Sequence, residues 1–318
     1  MNELYKVNVI SKMGGIQFAS KTAKNSKLSI IKNKDGSISY FKTPRDKESV
    51  HSMISERFHT LVGGIIEREI CGCGKKIGQL VAEYELAEFD GKCGVISKNF
   101  STGGNTYDVR LAFPHENRFL HNPAYNMNWL QALDLRTFCE EHLKACRKDF
   151  QDDFIRRWIL SFYFGNKDMI NFQNLSFESL SRNFHGGILN ENSVKLDPLW
   201  DFARCEEFYR RDVAQHYSCS LKQIGHDMDW PIHYVNLEYL VEKYPEVTKE
   251  MFGALLSLRE GNKGKFEEIC CFSSAADYCR SFWKNLTRSE IKVKLSHLGD
   301  DIKDAYDKRI DLTMGNCL

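Results

Sequence analysis

The stretch KLSIIKNKDGSISYFK, residues 27–42, alternates apolar and polar side chains on either side of Asp35-Gly36. An Asp-Gly pair between two alternating segments is typical of a β-hairpin with a two-residue turn. A second stretch, QLVAEYELAEFDGKCGVISKNF (residues 79–100), repeats the pattern around Asp90-Gly91. The first hundred residues are therefore predicted to form strands and hairpins, and Lys42 is predicted to end a strand.

Between the two hairpins the sequence predicts one helix, with Ile66, Ile70, Cys73 and Ile77 on one face. The chain changes character near residue 102. Residues 102–128 are rich in Gly, Asn and Pro and are interpreted as linker and loop.

From about residue 129 onward the pattern is helical, and positions 154, 155, 158, 159 and 162 form an apolar stripe. A short strand pair, NLSF and SVKL, interrupts the helices, and Thr287 and Glu290 have capping-box spacing before a last long helix. We predict an α+β fold with a small β-rich N-lobe over residues 1–101 and a larger helical C-lobe over residues 102–318. Two lobes of this kind leave a cleft between them that can bind a ligand.

Composition limits the partners and the compartment. The 318 residues carry a formal net charge of +1, so no global field attracts nucleic acid or an acidic membrane, and neither is expected as a partner. The eleven cysteines form no CxxC pair and the histidines show no HExxH spacing, which argues against zinc and against a disulfide framework. No signal peptide and no run of 18 apolar residues is found. We expect a cytoplasmic protein, or one delivered into a host cell by a specialised secretion system that leaves no readable mark.

Lys42 is the first residue that could carry chemistry. It is either an edge lysine with its ammonium in solvent or a cation that points into the cleft at phosphates. Two acids of the following helix, Glu67 and Glu69, lie on opposite margins of the apolar stripe. Either one could pair with Lys42, or both could belong to a solvated face; periodicity does not choose.

Three further segments could contribute. ASKTAKNSK, residues 19–27, has the hydroxyls and lysines of a loop that folds over phosphate, or of a plain polar loop. GNKDMINFQN, residues 165–174, offers Asp168 as a base and asparagine carbonyls for Mg²⁺, or is an Asn-rich turn. KLDPLWDF, residues 195–202, offers Asp201 as a metal ligand, with Asp197 as its competitor.

The order of these parts is more informative than any one of them. A phosphate loop, a strand lysine, a helix acid, a hairpin, a helical region, an Asp loop with Asn and a second Asp follow one another as in a protein kinase. Phosphoryl transfer needs a cation on the phosphates, metal to offset charge and a positioned hydroxyl, and these residue types supply all three.

At these positions the sequence resembles the HipA-like bacterial serine/threonine kinases, most closely their compact CtkA-type members. The resemblance covers roughly residues 10–205 and is carried by SYFKTP, by VISKNFST after the second hairpin, by GNKDMINFQN with NLSF, and by LDPLWDF. The family also has a helix Glu eleven residues before a Gly near the helix end. Glu67 stands eleven residues before Gly78, so the resemblance selects it over Glu69.

The resemblance implies a role for each matching residue. Lys42 would hold the phosphates of ATP and Glu67 would orient it, while Asp168 would accept or align the substrate hydroxyl. Asp201 would bind Mg²⁺ together with an asparagine. The nucleotide-binding positions that it implies are Ser20, Lys21, Thr22, Ile96 and Lys98.

The catalytic loop departs from the family pattern. Ile170 stands where the family has His, and Gln173 stands where it has Asn. Asn174 follows Asp168 by six residues rather than five, so Asn174 and Asn171 compete for one ligand position.

The resemblance implies an ATP- and Mg²⁺-dependent kinase acting on Ser or Thr of a protein, with autophosphorylation of Ser20, Thr22 or Ser26. It also implies a bacterial toxin or host-directed effector, so an antitoxin or a host protein would be a partner. The loop departures keep two alternatives open: a pseudokinase that binds a partner, and an enzyme that transfers the nucleotidyl group.

Overall fold

The computed structural model describes residues 3–10, 16–22, 26–44, 49–100, 105–108, 135–141, 143–166, 175–179, 195–216, 218 and 230–315. The architecture is α+β, as predicted: a sheet in the first hundred residues precedes a larger helical part. None of the helices within these ranges has the length and apolar character needed to cross a bilayer.

Six strands form the N-terminal sheet in the order β1-β5-β6-β4-β3-β2, with β1 parallel to β5 and every other pair antiparallel. Their bounds are β1 Asn8–Val9, β2 Ile16–Thr22, β3 Ser26–Lys32, β4 Ile38–Pro44, β5 Tyr84–Phe89 and β6 Lys92–Lys98.

Both predicted hairpins are confirmed. β3 and β4 pair across Asp35-Gly36, and β5 and β6 pair across Asp90-Gly91. Gly36 (φ 83°) and Gly91 (φ 69°) lie in the left-handed region, where a side chain would be strained. Lys42 lies on β4, opposite Val95 of the central strand β6.

Ser20, Lys21 and Thr22 are not in a loop, contrary to expectation. They form the end of β2 and pair with Ser29, Leu28 and Lys27 of β3. The small polar residues and lysines are typical of a loop in composition. Their backbone nevertheless pairs with β3, so these residues form a strand. Residues 23–25, between these strands, lie outside the described part.

The helix between the hairpins is α1, Val50–Gly72. Only five residues separate its first residue from the end of β4, so its first turns lie next to the strand that carries Lys42. Ile66 and Ile70 are buried on it, as predicted. The prediction was wrong for Cys73, which caps the end and is exposed, and for Ile77, which lies beyond the helix.

The helical part packs around α1 in one continuous apolar core that reaches from Phe58 to Tyr306. Its helices are α2 Leu135–Glu141, α3 Lys148–Phe164, α4 Glu206–His216, α5 Trp230–Lys243, α6 Pro245–Arg259, α7 Lys263–Cys270, α8 Ala276–Arg280 and α9 Arg288–Gly315. The capping box before α9 is confirmed, since Thr287 N donates to Glu290 Oε2 at 2.7 Å.

A second, three-stranded sheet has the order β7-β8-β9. Its strands are β7 Asn105–Asp108, β8 Ser176–Ser179 and β9 Lys195–Leu196. The antiparallel pairing of β8 with β9 confirms the predicted short strand pair. Because β9 ends five residues before Asp201, the β8–β9 pair positions this acid near α1. The predicted lobe boundary falls at residues 101 and 102, outside the described part, and stays a prediction.

Candidate active site

Lys42 lies between two carboxylates that come from different parts of the chain. Its Nζ donates to Glu56 Oε1 at 2.6 Å and also to Asp201 Oδ1. The side chains are 14% exposed for Lys42, 0% for Glu56 and 31% for Asp201, so the cluster is open to solvent on the Asp201 side. A ligand would approach from there.

Three elements meet at this cluster: β4, the second turn of α1, and the segment that follows β9. The second oxygen of Glu56 accepts a hydrogen bond from Phe202 N at 2.8 Å. One residue earlier, Ser55 Oγ donates to Phe202 O at 2.6 Å. Both backbone groups of Phe202 are thus bound to α1, which fixes the neighbouring Asp201 relative to the helix.

The charges of the cluster support one another. Burial would lower the pKa of Lys42, but the carboxylates of Asp201 and Glu56 outweigh burial and raise it. Burial raises the pKa of Glu56, and the charge of Lys42 opposes this. Lys42 therefore stays a cation, held at a fixed point by two anions.

Asp201 has an unusual backbone conformation. Its φ of 62° and ψ of 67° lie in the left-handed region, which Asp tolerates better than most residues. Asp201 N donates to the hydroxyl of Tyr84 at 3.3 Å, and Asn166 Nδ2 donates to Asp201 O at 3.1 Å. These bonds hold the turn so that its carboxylate faces Lys42.

The prediction that Glu67 orients Lys42 is wrong, since the structure places Glu56 there. Eleven residues of helix separate the two glutamates, which is about 16 Å at 1.5 Å per residue. Glu67 Oε1 instead accepts hydrogen bonds from Leu80 N (2.6 Å) and Val81 N (3.1 Å). The eleven-residue spacing from Glu67 to Gly78 therefore does not identify the partner of Lys42. It belongs to a glutamate that binds the chain following the helix.

Glu69, the rejected alternative, also contacts other groups. Its carboxylate accepts hydrogen bonds from Ser257 Oγ and Asn262 Nδ2, both at 2.8 Å, and so ties α1 to α6 and to the turn that follows α6. A cavity of about 510 Å³ runs along the Glu67 side of α1, and Glu67 and Arg57 are among the residues that line it. Glu56 and Lys42 do not line this cavity, which is therefore distinct from the Lys42 cluster.

The nucleotide-binding role of Ile96, which rests on the backbone of residues 95–99, stays a prediction, and its side chain lies away from Lys42. Ile96 pairs with Phe41 and packs with it in a small apolar cluster on the sheet face opposite to Lys42, because successive strand residues point to opposite faces. Its backbone lies between two partner strands. Lys98 still pairs with Ser39 of β4 but lies one residue past Tyr84–Ser97, the last pair between β5 and β6, so the end of β6 is open only on its β5 side.

The loop that carries Asp168, Asn171 and Asn174 lies outside the described residues, so these roles stay predictions. Asp197, the competitor of Asp201, is buried and accepts a hydrogen bond from Ser176 Oγ at 2.7 Å. No group of three or more His, Cys, Asp or Glu in the described ranges could hold a metal ion.

Asp201 nevertheless has the chemistry of a magnesium ligand. Its side chain is partly exposed, its Oδ1 bonds to Lys42, and its Oδ2 makes no hydrogen bond with the described residues. A carboxylate oxygen is the ligand type that Mg²⁺ prefers. Asp201 therefore fits one ligand position of a magnesium site, and the described residues provide no group of three such ligands.

Sequence reasoning missed Glu56, Tyr84 and Asn166. Glu56 carried a usable signal, because its neighbours three and four positions away, such as Met53 and Thr60, are apolar or small and mark it as inward-facing. Tyr84 and Asn166 carried none, since each acts through the backbone of Asp201, which is distant in sequence.

The sheet, the helix behind it and the Lys–Glu–Asp cluster are those of a protein-kinase-like fold. Among solved structures, the chain is similar to that of a Helicobacter pylori proinflammatory kinase, CtkA, with a TM-score of 0.50. The match has 15% sequence identity and covers 98% of this chain and 97% of that chain. No family model and no curated protein matches the sequence. At this identity the likeness establishes the fold alone.

Proposed function

We propose that the protein is a Mg²⁺- and ATP-dependent kinase that phosphorylates Ser or Thr of a protein substrate and of itself. The ionic contact of Lys42 with Glu56 and Asp201 carries this proposal. Phosphoryl transfer depends on positioned charge more than on covalent chemistry by the protein. A cation fixed between two anions, on the open side of a kinase-like fold, meets that requirement.

Each described residue of the cluster has a proposed task. Lys42 binds the phosphates of ATP, and Glu56 holds the ammonium in place. Asp201 uses its second oxygen to hold Mg²⁺, which would offset the phosphate charge when bound. Tyr84 keeps the Asp201 backbone in its left-handed turn.

The remaining tasks rest on the resemblance to HipA-like kinases. Asp168 accepts or aligns the substrate hydroxyl, and Asn174 or Asn171 completes the magnesium site. Lys98 and the end of β6 receive the adenine. Ser20, Lys21 and Thr22 lie on the hairpin that would cover the phosphates, and Ser20, Thr22 and Ser26 are the proposed autophosphorylation sites.

The same resemblance supports a bacterial toxin or host-directed effector, which acts in the cytoplasm or in a host cell. Its proposed partners are a protein substrate and an antitoxin or a host protein. The identity of the substrate is set by surfaces that the cluster does not include.

Two alternatives use the same fold. A pseudokinase that binds a partner is favoured by Ile170 and Gln173, which replace the His and Asn of the family loop. Nucleotidyl transfer is the other, since it would use the same phosphate-binding cation and metal ligand, Lys42 and Asp201, with a different phosphate transferred.

The test uses the full chain with Mg²⁺ and ATP labelled at the γ- or the α-phosphate, alongside Asp168→Asn and Asp201→Asn. We expect γ-label on the protein itself or on a lysate protein, and its loss in both variants. Folded protein that transfers no γ-label would contradict the kinase. Label from α-labelled ATP alone would indicate nucleotidyl transfer, and ATP binding without any transfer would indicate a pseudokinase.

A further inference from the structure

The N-terminus of α1 has no side-chain cap of its own. Ser49 occupies the N-cap position but makes no capping hydrogen bond with its side chain, and the first turn contains no acid. The first N–H groups of a helix need acceptors, and the helix dipole favours a negative charge there. Something outside α1 must supply both.

Asp212 of α4 supplies them. Its Oδ1 accepts a hydrogen bond from His51 N at 3.1 Å, and its Oδ2 accepts one from Ser52 N at 2.8 Å. His51 and Ser52 are the second and third residues of α1, the positions that a capping side chain normally serves. The hydroxyl of Ser52 and the ring Nδ1 of His51 also contact this carboxylate. All three residues are buried.

Asp212 lies eleven residues after Asp201, the proposed magnesium ligand, in α4, the helix that continues the Asp201 segment. Asp201 itself contacts Lys42 of β4. Phe202, next to Asp201, and Asp212 both contact the first two turns of α1. The α1 residues that they contact include Ser52 and Glu56, which lie four positions apart on one helix face. The segment therefore holds α1 at its first turn and at its second turn together.

We infer that Asp212 is a positioning residue: it caps α1 from α4 and thereby sets Glu56 at the height and rotation that bring its carboxylate to Lys42. A cap from within α1 would satisfy the same N–H groups but would not tie the helix to the Asp201 segment. The inference deepens the proposed kinase function and rests on it.

The test compares Asp212→Asn, Ser49→Asp and the double variant in the full chain. In Asp212→Asn, the amide NH₂ cannot accept from Ser52 N, and the negative charge is lost. We expect its kcat for phosphoryl transfer to fall about tenfold, which corresponds to about 1.4 kcal/mol of transition-state stabilisation. Ser49→Asp alone should leave kcat unchanged, because Ser49 does not touch the cluster.

The double variant separates positioning from stability. Ser49→Asp gives α1 a local cap, so we expect the melting temperature of Asp212→Asn to recover while kcat stays low. If kcat recovers together with the melting temperature, a local cap is sufficient and the inference is wrong. An unchanged kcat in Asp212→Asn would also overturn it.

A second measurement does not depend on catalysis. The rate at which acetic anhydride modifies Lys42, followed by peptide mass spectrometry, reports whether Glu56 still holds the ammonium. We expect faster modification in Asp212→Asn and in the double variant than in the wild type. If the wild type transfers no phosphate, the kinase proposal fails, but equal modification rates are still required to overturn the role of Asp212.

Discussion

The two halves of α1 each carry a glutamate that faces the protein, Glu56 fully buried and Glu67 half-buried, and the two carboxylates contact different kinds of group. In the first half, Glu56 binds the ammonium of Lys42 and the backbone of Phe202. In the second half, Glu67 binds the backbone N–H groups of Leu80 and Val81. Burial raises the pKa of both acids, but the charge of Lys42 opposes it for Glu56, whereas backbone donors oppose it for Glu67.

The difference shows how one helix can serve both chemistry and architecture. The first half meets β4 and the Asp201 segment, so its acid joins a set of charges. The second half binds the chain that follows the helix, which includes Leu80. Leu80 O in turn accepts a hydrogen bond from Leu199 N at 2.8 Å, and Leu199 lies two residues before Asp201. The second half therefore contributes to the position of Asp201 without touching the cluster.

The largest effect should come from removing the cation that joins the first half of α1 to the Asp201 segment. Lys42→Met is expected to lower phosphoryl transfer by about 100-fold or more, since a positioned cation on the phosphates is lost. Lys92→Met, at an exposed position at the start of neighbouring β6, is the matched control and should retain most of the activity. Initial rates with γ-labelled ATP measure both. Equal losses in the two variants would contradict the role of Lys42.

A smaller effect tests the packing of the second half of α1. A Cβ added at Gly63 would lie 2.4 Å from a methyl group of Val81, whereas one added at Gly64 meets only Arg68 at 3.6 Å. Gly63→Ala should lower the free energy of unfolding by about 1–3 kcal/mol through overpacking. Gly64→Ala should raise it by up to about 1 kcal/mol through helix propensity. Denaturant titrations of the two variants check this, and a stable Gly63→Ala would show that α1 does not approach Val81 closely.

The smallest effect concerns pH and the first half of α1. Burial lowers the pKa of His59 to about 3 from an ordinary 6.5, so the ring is neutral where it stacks on Phe202 and contacts the hydroxyl of Tyr306. The unfolded chain therefore takes up this proton first as the pH falls. The stability contributed by His59 is present above pH 6.5 and is lost as the pH falls below it, by about 1.4 kcal/mol per pH unit.

The corresponding measurement is the free energy of unfolding between pH 7 and pH 5 for His59→Gln and for His297→Gln, a change at an exposed position of α9. His59→Gln should show a shallower loss of stability toward pH 5 than the wild type. His297→Gln should follow the wild type. A His59→Gln curve parallel to the wild type would contradict the neutral, buried ring.

Local patterns in the sequence were sufficient for the strands. Asp35-Gly36 and Asp90-Gly91 placed both hairpins correctly, and they put Lys42 on a strand beside β6. The motif LDPLWDF also led to Asp201, because the acid follows a short strand. These features depend on neighbours in sequence, where turn chemistry and alternation determine the structure.

The partner of Lys42 depended on where α1 begins, which local patterns did not fix. The helix was placed by its apolar stripe near Ile66, so its first turns and Glu56 were overlooked. Family spacing then selected Glu67. The capping of α1 by Asp212 of α4 and the contact of Tyr84 with Asp201 could not be predicted, because they join residues more than 100 positions apart.

Comparing Glu56→Gln with Glu67→Gln measures which of the two glutamates orients Lys42 for the proposed phosphoryl transfer. Both changes remove one negative charge from α1 and keep a carbonyl acceptor. The account predicts that kcat/KM for ATP-dependent phosphoryl transfer falls at least tenfold in Glu56→Gln, or about 1.4 kcal/mol, and stays near the wild-type value in Glu67→Gln. A loss confined to Glu67→Gln, or equal losses in both, would contradict it.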